Sequence, residues 1–253
     1  LDGARMLDLA REFKQFETVF VTGIESGEVS ARIFTMDGEL PFAGHPLLGA
    51  AAALHERHAP QQERLSLTFR LTEKQVPVVS ERTRTGFHAA MQQGVPAFLG
   101  EVPPADLGWL LRSHSLTEGD LAPGLPVEVV STGLAYVLLP VRGCLDRARI
   151  RVRDLEARIA AYGAAYTYLF DPDTLEARTW DNLGLIEDSA TGSAAGPVCA
   201  YLVRHGRLSE GERILIRQGH YANRPGTLTA WMERGEVYVS GDVVFFAKGT
   251  FTV

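Results

Sequence analysis

The sequence predicts an α+β protein in which strands dominate and helices are few. Three observations carry that prediction. Strand-type runs do not alternate with helical ones, as they would in a parallel βαβ protein. The chain holds 25 glycines and 13 prolines, hence many turns. One segment pattern also recurs at an offset of 148 residues, each time ahead of a strongly apolar helix.

Each element has its own signal. Met6, Leu7, Leu9, Ala10 and Phe13 recur at helical spacing and predict a helix over 4–16. A short apolar run predicts a strand at 18–22. Val29, Ala31 and Ile33 alternate with Ser30 and Arg32, and Leu65, Leu67 and Phe69 alternate likewise; strands also fit 76–79 and 87–91. Pro96, Pro103, Pro104 and the stretch 117–126 bracket a short helix at 106–112. That bracket predicts a boundary between two domains, 1–116 and 117–253. Later strands fit 127–131, 135–141, 166–170, 175–180, 214–217, 227–231, 237–239 and 243–247, with a helix over 152–162. Two further helices, PLLGAAAALHERH at 46–58 and AAGPVCAYLVRH at 194–205, are nearly uncharged until their last turns. Both are expected to be buried, with basic or imidazole groups at their C-termini.

Composition narrows the function classes. The 253 residues carry a net charge of −6 and a pI near 5.7. A nucleic-acid-binding protein would instead show a clustered basic surface. No apolar run reaches the roughly 18 residues of a membrane helix, and the opening LDGARMLDLA lacks the basic flank and apolar core of a signal peptide. Cys144 and Cys199 show no metal-ligand spacing, so a disulfide framework is not expected and a reducing cytoplasm is. His55, His58, His88, His114, His205 and His220 also lack metal-like spacing and read as surface or helix-end residues.

The repeat carries the chemistry. ELPFAGHPLLGAAAAL at 39–54 lies over EDSATGSAAGPVCAYL at 187–202, so that Glu39 meets Glu187, Gly44 meets Gly192, Ala52 meets Ala200 and Leu54 meets Leu202. Each copy has an acid, a turn with glycine, and the start of an apolar helix. Glycine lets backbone approach a ligand closely, and a helix start offers unpaired N–H donors to an anion. Pro46 suits a first turn, and Thr191 or Ser193 suits a cap or an added donor. Either segment alone would read as a turn with a dipole partner. Together they favour a site that holds a carboxylate substrate for proton transfer.

These two segments resemble the signature segments of the PhzF-like (phenazine biosynthesis) proteins of the diaminopimelate epimerase superfamily. AREFKQFETVFV at 10–21, VSARIFT at 29–35, STGLAY at 131–136 and QGHYANRP at 218–225 extend the resemblance along the chain in the family's order. The resemblance implies two pseudo-symmetric halves, each a curved, mostly antiparallel sheet around a central helix, with the active site in the cleft between. It implies no cofactor, no metal and a homodimer. The implied activity is isomerisation or epimerisation of a small carboxylate-bearing metabolite, with Glu39 as acid/base. The alternative is a catalytically silent member that binds a metabolite or a protein partner.

Carried over by motif, Glu39, Asp188 and Ser193 are the catalytic candidates. Gly44, His45, Thr191, Gly192, Ser131 and Gly133 are the substrate-binding ones. The apolar neighbours Leu40 and Phe42 are expected to raise the Glu39 pKa. Glu187 could exchange roles with Asp188. His45 could act by its ring or by its backbone alone, Ser131–Gly133 could be a ligand loop or a strand turn, and Arg224 could meet a substrate carboxylate or a structural acid. Cys199, well inside an apolar helix, reads as core, so a two-thiol epimerase is not expected. The sequence departs from the family in four places. This sequence opens on the first helix, where family members usually begin with strands carrying a GNP-type motif; Phe16 stands where Ser is common, Leu47 stands where Thr is common, and 67–71 lacks the active-site histidine that the phenazine enzyme uses. The phenazine substrate is therefore not carried over.

Overall fold

A computed structural model describes residues 1–251. The chain divides into two compact units. Unit 1 is Leu1–Leu40, His45–Met91 and Ser240–Val253; unit 2 is Pro41–Gly44 and Gln92–Val239. The proline-rich stretch around the short helix lies within unit 2.

Unit 1 opens with α1 (Gly3–Phe13), whose N-terminus is capped by Asp2: its carboxylate accepts from the Arg5 N–H at 2.9 Å. Its apolar stripe, Met6 and Ala10, rests on Phe34. Strand β1 (Thr18–Glu25) pairs antiparallel with β2 (Glu28–Phe34). Along β2, Val29, Ala31 and Ile33 point into the core, while Ser30 and Arg32 face the other way. Two residues, β3 (Glu39–Leu40), turn back onto β2. Helix α2 (His45–His58) follows, then β4 (Arg64–Arg70), parallel to β2, and β5 (Gln75–Arg82) and β6 (Phe87–Gly94) in antiparallel order. Within unit 1, α2 lies against β1, β4 and β5.

Unit 2 contains β7 (Ala97–Glu101), α3 (Pro104–Ser113), β8 (Glu128–Ser131), β9 (Ala135–Pro140) and α4 (Leu155–Ala160). After these come β10 (Tyr166–Phe170), β11 (Glu176–Arg178), α5 (Gly192–Arg204), β12 (Arg213–Gln218), β13 (Gly226–Glu233) and β14 (Glu236–Val243), the last of which ends in unit 1. The order from β10 onward repeats that of unit 1. An antiparallel pair (β10–β11) precedes the helix, the next strand (β12) lies parallel to the second, and an antiparallel partner (β13) follows. Its core joins Leu110 and Leu111 of α3 to Val137, Leu139, Leu155, Ile159 and Leu169.

Several expectations need correction. The helix expected over 152–162 is only α4, since Asp154 starts it and left-handed Gly163 closes it. No strand forms at 243–247: the ladder ends at Val243, Phe245 leans on the Phe87 ring at 5.7 Å, and Phe246 is fully exposed. Strands β3 and β7 carried no readable pattern. Helix α2 is not buried all round, because Ala53 is exposed, whereas α5 is buried continuously from Gly192 to Leu202. Of the histidines read as surface or helix-end residues, His55 in the last turn of α2 and His114 at the C-cap of α3 stand at helix ends, and both are buried. His55 donates from Nε2 to the Gln62 carbonyl at 2.9 Å and accepts at Nδ1 from the Ser80 hydroxyl at 3.0 Å. His114 donates from Nδ1 to the Leu110 carbonyl at 2.9 Å and accepts at Nε2 from Thr167 at 2.8 Å, and burial pushes its pKa down to about 4. Both cysteines are buried and free, with burial pushing Cys199 up to about 12 and Cys144 up to about 11. At neutral pH both are thiols without nucleophilic character. No helix among the described residues is long and apolar enough to cross a membrane.

Candidate active site

In unit 1, β2 leads into a tight turn closed by Thr35, whose N–H donates to the Gly38 carbonyl at 2.8 Å. The turn sets Glu39 opposite Phe34, two residues beyond Arg32. Arg32 and Glu39 therefore meet as a two-pronged pair: Nε to Oε1 at 2.8 Å and Nη2 to Oε2 at 2.5 Å. The guanidinium lies 5.1 Å from the Phe34 ring centre, and Thr72 donates to Oε1 at 3.4 Å. The pair remains open to solvent, with 35% of the Arg32 and 28% of the Glu39 side chain exposed. The hydrogen bonds from Arg32 hold the Glu39 carboxyl below the usual glutamate range, against a smaller upward push from burial. The expected rise in pKa from Leu40 and Phe42 is thus overturned, because the sequence neighbours matter less than a cation bonded to the carboxylate from the adjacent strand.

In unit 2 the same parts recur. Trp180 bridges Glu187 across a longer turn, and Arg178, two residues before Trp180, forks onto Glu187 with 2.9 and 2.6 Å bonds. Its guanidinium sits 4.5 Å from the Trp180 ring centre and 4.3 Å from that of Tyr221. Arg178 also donates to the Leu145 and Ala148 carbonyls, and only 2% of its side chain is exposed. Both oxygens of Glu187 are occupied by this pair, which leaves Asp188 as the second motif's other acid.

Asp188 is buried and receives Thr191 Oγ1 at 2.5 Å and the Ala190 N–H at 3.3 Å. Gln218 locks this corner. Its amide nitrogen donates to the Asp188 carbonyl and to Thr191 Oγ1, both at 2.8 Å, and its oxygen accepts from the Thr191 N–H and the Tyr168 hydroxyl. Thr191 stands at the N-cap of α5, yet its hydroxyl does not cap, being committed to Asp188 and Gln218. Ser193 Oγ, buried, lies 2.7 Å from the Tyr136 hydroxyl. Gln93 donates to the Gly192 carbonyl at 2.8 Å and accepts from Thr132. Gly44 lies against the same backbone: a Cβ there would stand 2.4 Å from Gly192 C and Ser193 N. Only glycine admits this approach.

The remaining candidates are placed as follows. His45 is the first residue of α2, with Pro46 second, and its ring meets the Glu17 carboxylate at 3.3 Å. Ser131 Oγ accepts from the Gly133 N–H at 3.1 Å, closing the turn between β8 and β9. Arg224 is exposed, and its carbonyl abuts Gly219. Sequence reasoning missed Gln93, Gln218, Arg32 and Arg178. The glutamines carry no local signal. The arginines do: Arg-x-aromatic precedes each acid, at an offset of 146 rather than 148, because the second turn is two residues longer. Among the described residues, no three His, Cys, Asp or Glu side chains converge as metal ligands would.

Comparison with known proteins adds to this geometry. Residues 1–249 match the family model for phenazine biosynthesis-like proteins (PhzC-PhzF). The trans-2,3-dihydro-3-hydroxyanthranilate isomerase of Pseudomonas aeruginosa is 34% identical over 98% of this chain and 88% of its own length. A solved structure from Pseudomonas aeruginosa, described as a predicted epimerase, superimposes with a TM-score of 0.95 at 44% identity, covering 100% of this chain and 90% of that one. A PhzF-family protein of Bacillus anthracis shares the fold, with a TM-score of 0.76 at 23% identity over 96% and 86% of the two chains.

Proposed function

This chain belongs to the phenazine biosynthesis-like family and is a PhzF-like isomerase, and on that premise we propose that it moves a proton on a small carboxylate-bearing metabolite with Glu39 as the acid/base. One observation carries this reading. Both motif glutamates are forked by an arginine, but only 11% of the Glu187 side chain is exposed, while 28% of Glu39 is and its carboxylate is ionised. A carboxylate in that state can accept a proton from a carbon acid and return it. Asp188 and Ser193 are the assisting groups, with the backbone amides at Gly44, His45, Gly192 and Ser193 as donors to the substrate carboxylate; Thr191, whose hydroxyl and N–H are both engaged, serves the site by holding Asp188 and Gln218. The turn at Ser131 and Gly133 completes the set.

The experiment is deuterium exchange from D2O into a panel of small acids, headed by trans-2,3-dihydro-3-hydroxyanthranilate, the compound named for the relatives. E39Q is expected to lose about 10²–10⁴ of the exchange rate, the usual share of a general acid/base. Exchange in E39Q at the rate of the parent would overturn the proposal. An acid that raises the unfolding temperature yet never exchanges would support the silent, ligand-binding alternative.

A further inference from the structure

The two arginine–glutamate pairs share one geometry and differ in surroundings. In unit 2 the pair is sealed, and Arg178 has backbone carbonyls and two aromatic rings to hold it. Such a pair has an evident role in holding β11 to the strand end that follows. In unit 1 the equivalent pair stands half in water, where an ion pair contributes little to folding. Its fork is nevertheless as well formed, with 2.8 and 2.5 Å bonds. The surroundings also leave room for it: a Cβ on Gly3 would lie 2.8 Å from Arg32 Nη2, so the start of α1 accommodates the guanidinium only because Gly3 has no side chain.

We propose that Arg32 is the positioning residue of Glu39: its guanidinium aims the carboxylate and keeps it a proton acceptor, so that Glu39 first takes a proton from carbon and then returns it. In the first step a substrate C–H bond breaks, its proton bonds to Glu39, and the electron pair stays on the substrate. In the second the proton goes to another carbon or to the opposite face of the same carbon, and Glu39 is again a carboxylate. Arg32 keeps its proton throughout, and no oxidant or reductant takes part. The groups that bear on this pair are few. Thr72, in the turn between β4 and β5, donates to Glu39, and the Asp2 carboxylate at the start of α1 adds its charge to the field at Arg32. Asp2 favours the charged guanidinium, so it supports the arrangement.

This inference rests on Glu39 being the acid/base, and its test separates the two. The full chain is labelled with ¹³C at glutamate Cδ, E39Q identifies the Glu39 resonance, and its titration is followed in the parent, R32M and R32K. The expected result is a midpoint below the ordinary glutamate range in the parent, an upward shift in R32M and partial restoration in R32K. The acid limb of the exchange rate then moves to higher pH in R32M together with the titration, while the unfolding temperature does not change. An unshifted Glu39 midpoint in R32M overturns the role of Arg32 even if E39Q is inactive. Exchange in E39Q at the parent rate overturns the reading of Glu39 instead, and the role of Arg32 with it.

Discussion

Two copies of one device, an arginine two residues before an aromatic ring and forked onto a glutamate, occupy opposite physical regimes in this chain. The Arg178–Glu187 pair is dry. Removing one of its charges would strand the other in the interior, with the Leu145 and Ala148 carbonyls losing their donor as well. The Arg32–Glu39 pair is wet, and water can replace either partner. The adjoining helices follow the same division. Helix α5 is enclosed over Gly192–Leu202 and uses glycine, alanine and serine to fit, while α2 leaves Ala53 in solvent. The same pair recurs in both units; one copy is enclosed and bound to backbone carbonyls, while the other stands open to solvent.

The largest effect that would sharpen this contrast is on folding in unit 2. R178M should cost about 3–5 kcal/mol, the range for breaking a buried ion pair on one side, read as a fall in ΔG of unfolding by urea. A loss no greater than that of a surface substitution would show that the dry pair is not structural. Next comes the glycine contact beside the second motif. G44A places a methyl group 2.4 Å from the backbone of Gly192 and Ser193, which cannot swing aside as a side chain can. The expected loss is about 1–3 kcal/mol, as for overpacking generally. G38A is the control in the wet region, because a Cβ there meets nothing within 4 Å.

How much of this was legible beforehand depends on the range of the interaction involved. The α+β class and most elements followed from local periodicity; β10 at Tyr166–Phe170 matches its expected span. Strand β7 was unreadable because its residues are almost all exposed and Gly100 breaks its register, so no alternation exists to be seen. The repeat exposed Glu39 and Asp188, but their electrostatics were hidden. The pKa of Glu39 is set by Arg32, seven residues away along the chain and adjacent only once the turn forms. Gln218 is further still, thirty residues from Asp188 in sequence. A glutamine with four polar partners looks like any other glutamine until the strands are paired. The same holds for His114, whose burial comes from α3 meeting β10 through Thr167.

His114 gives the dry region a pH signature of its own. Its folded pKa, about 4, lies below the roughly 6.5 of an unfolded histidine. Between these values the unfolded chain binds the proton and the folded one does not, so stability falls as pH drops through that window. From pH 7 to pH 5 the loss from this group is about 2 kcal/mol. The variant H114Q should show a flatter dependence of ΔG on pH over the same interval. An unchanged slope would mean that His114 is protonated without cost.

The smallest expected effect is the most discriminating for the wet pair. R32M should leave the unfolding midpoint where it is at pH 7, since Met can keep its hydrocarbon beside Phe34 and water can solvate the released carboxylate. E39Q should do likewise, because an exposed amide needs no cation. G3A is a gentler probe of the same pair. Its methyl group would displace the Arg32 guanidinium without removing it, while alanine suits the first turn of α1 better than glycine. The folded state should therefore be no less stable, while the Glu39 titration moves part of the way toward its position in R32M. A fall in stability in all three variants would show that the exposed pair holds unit 1 together, and the division between a structural copy and a chemical one would collapse.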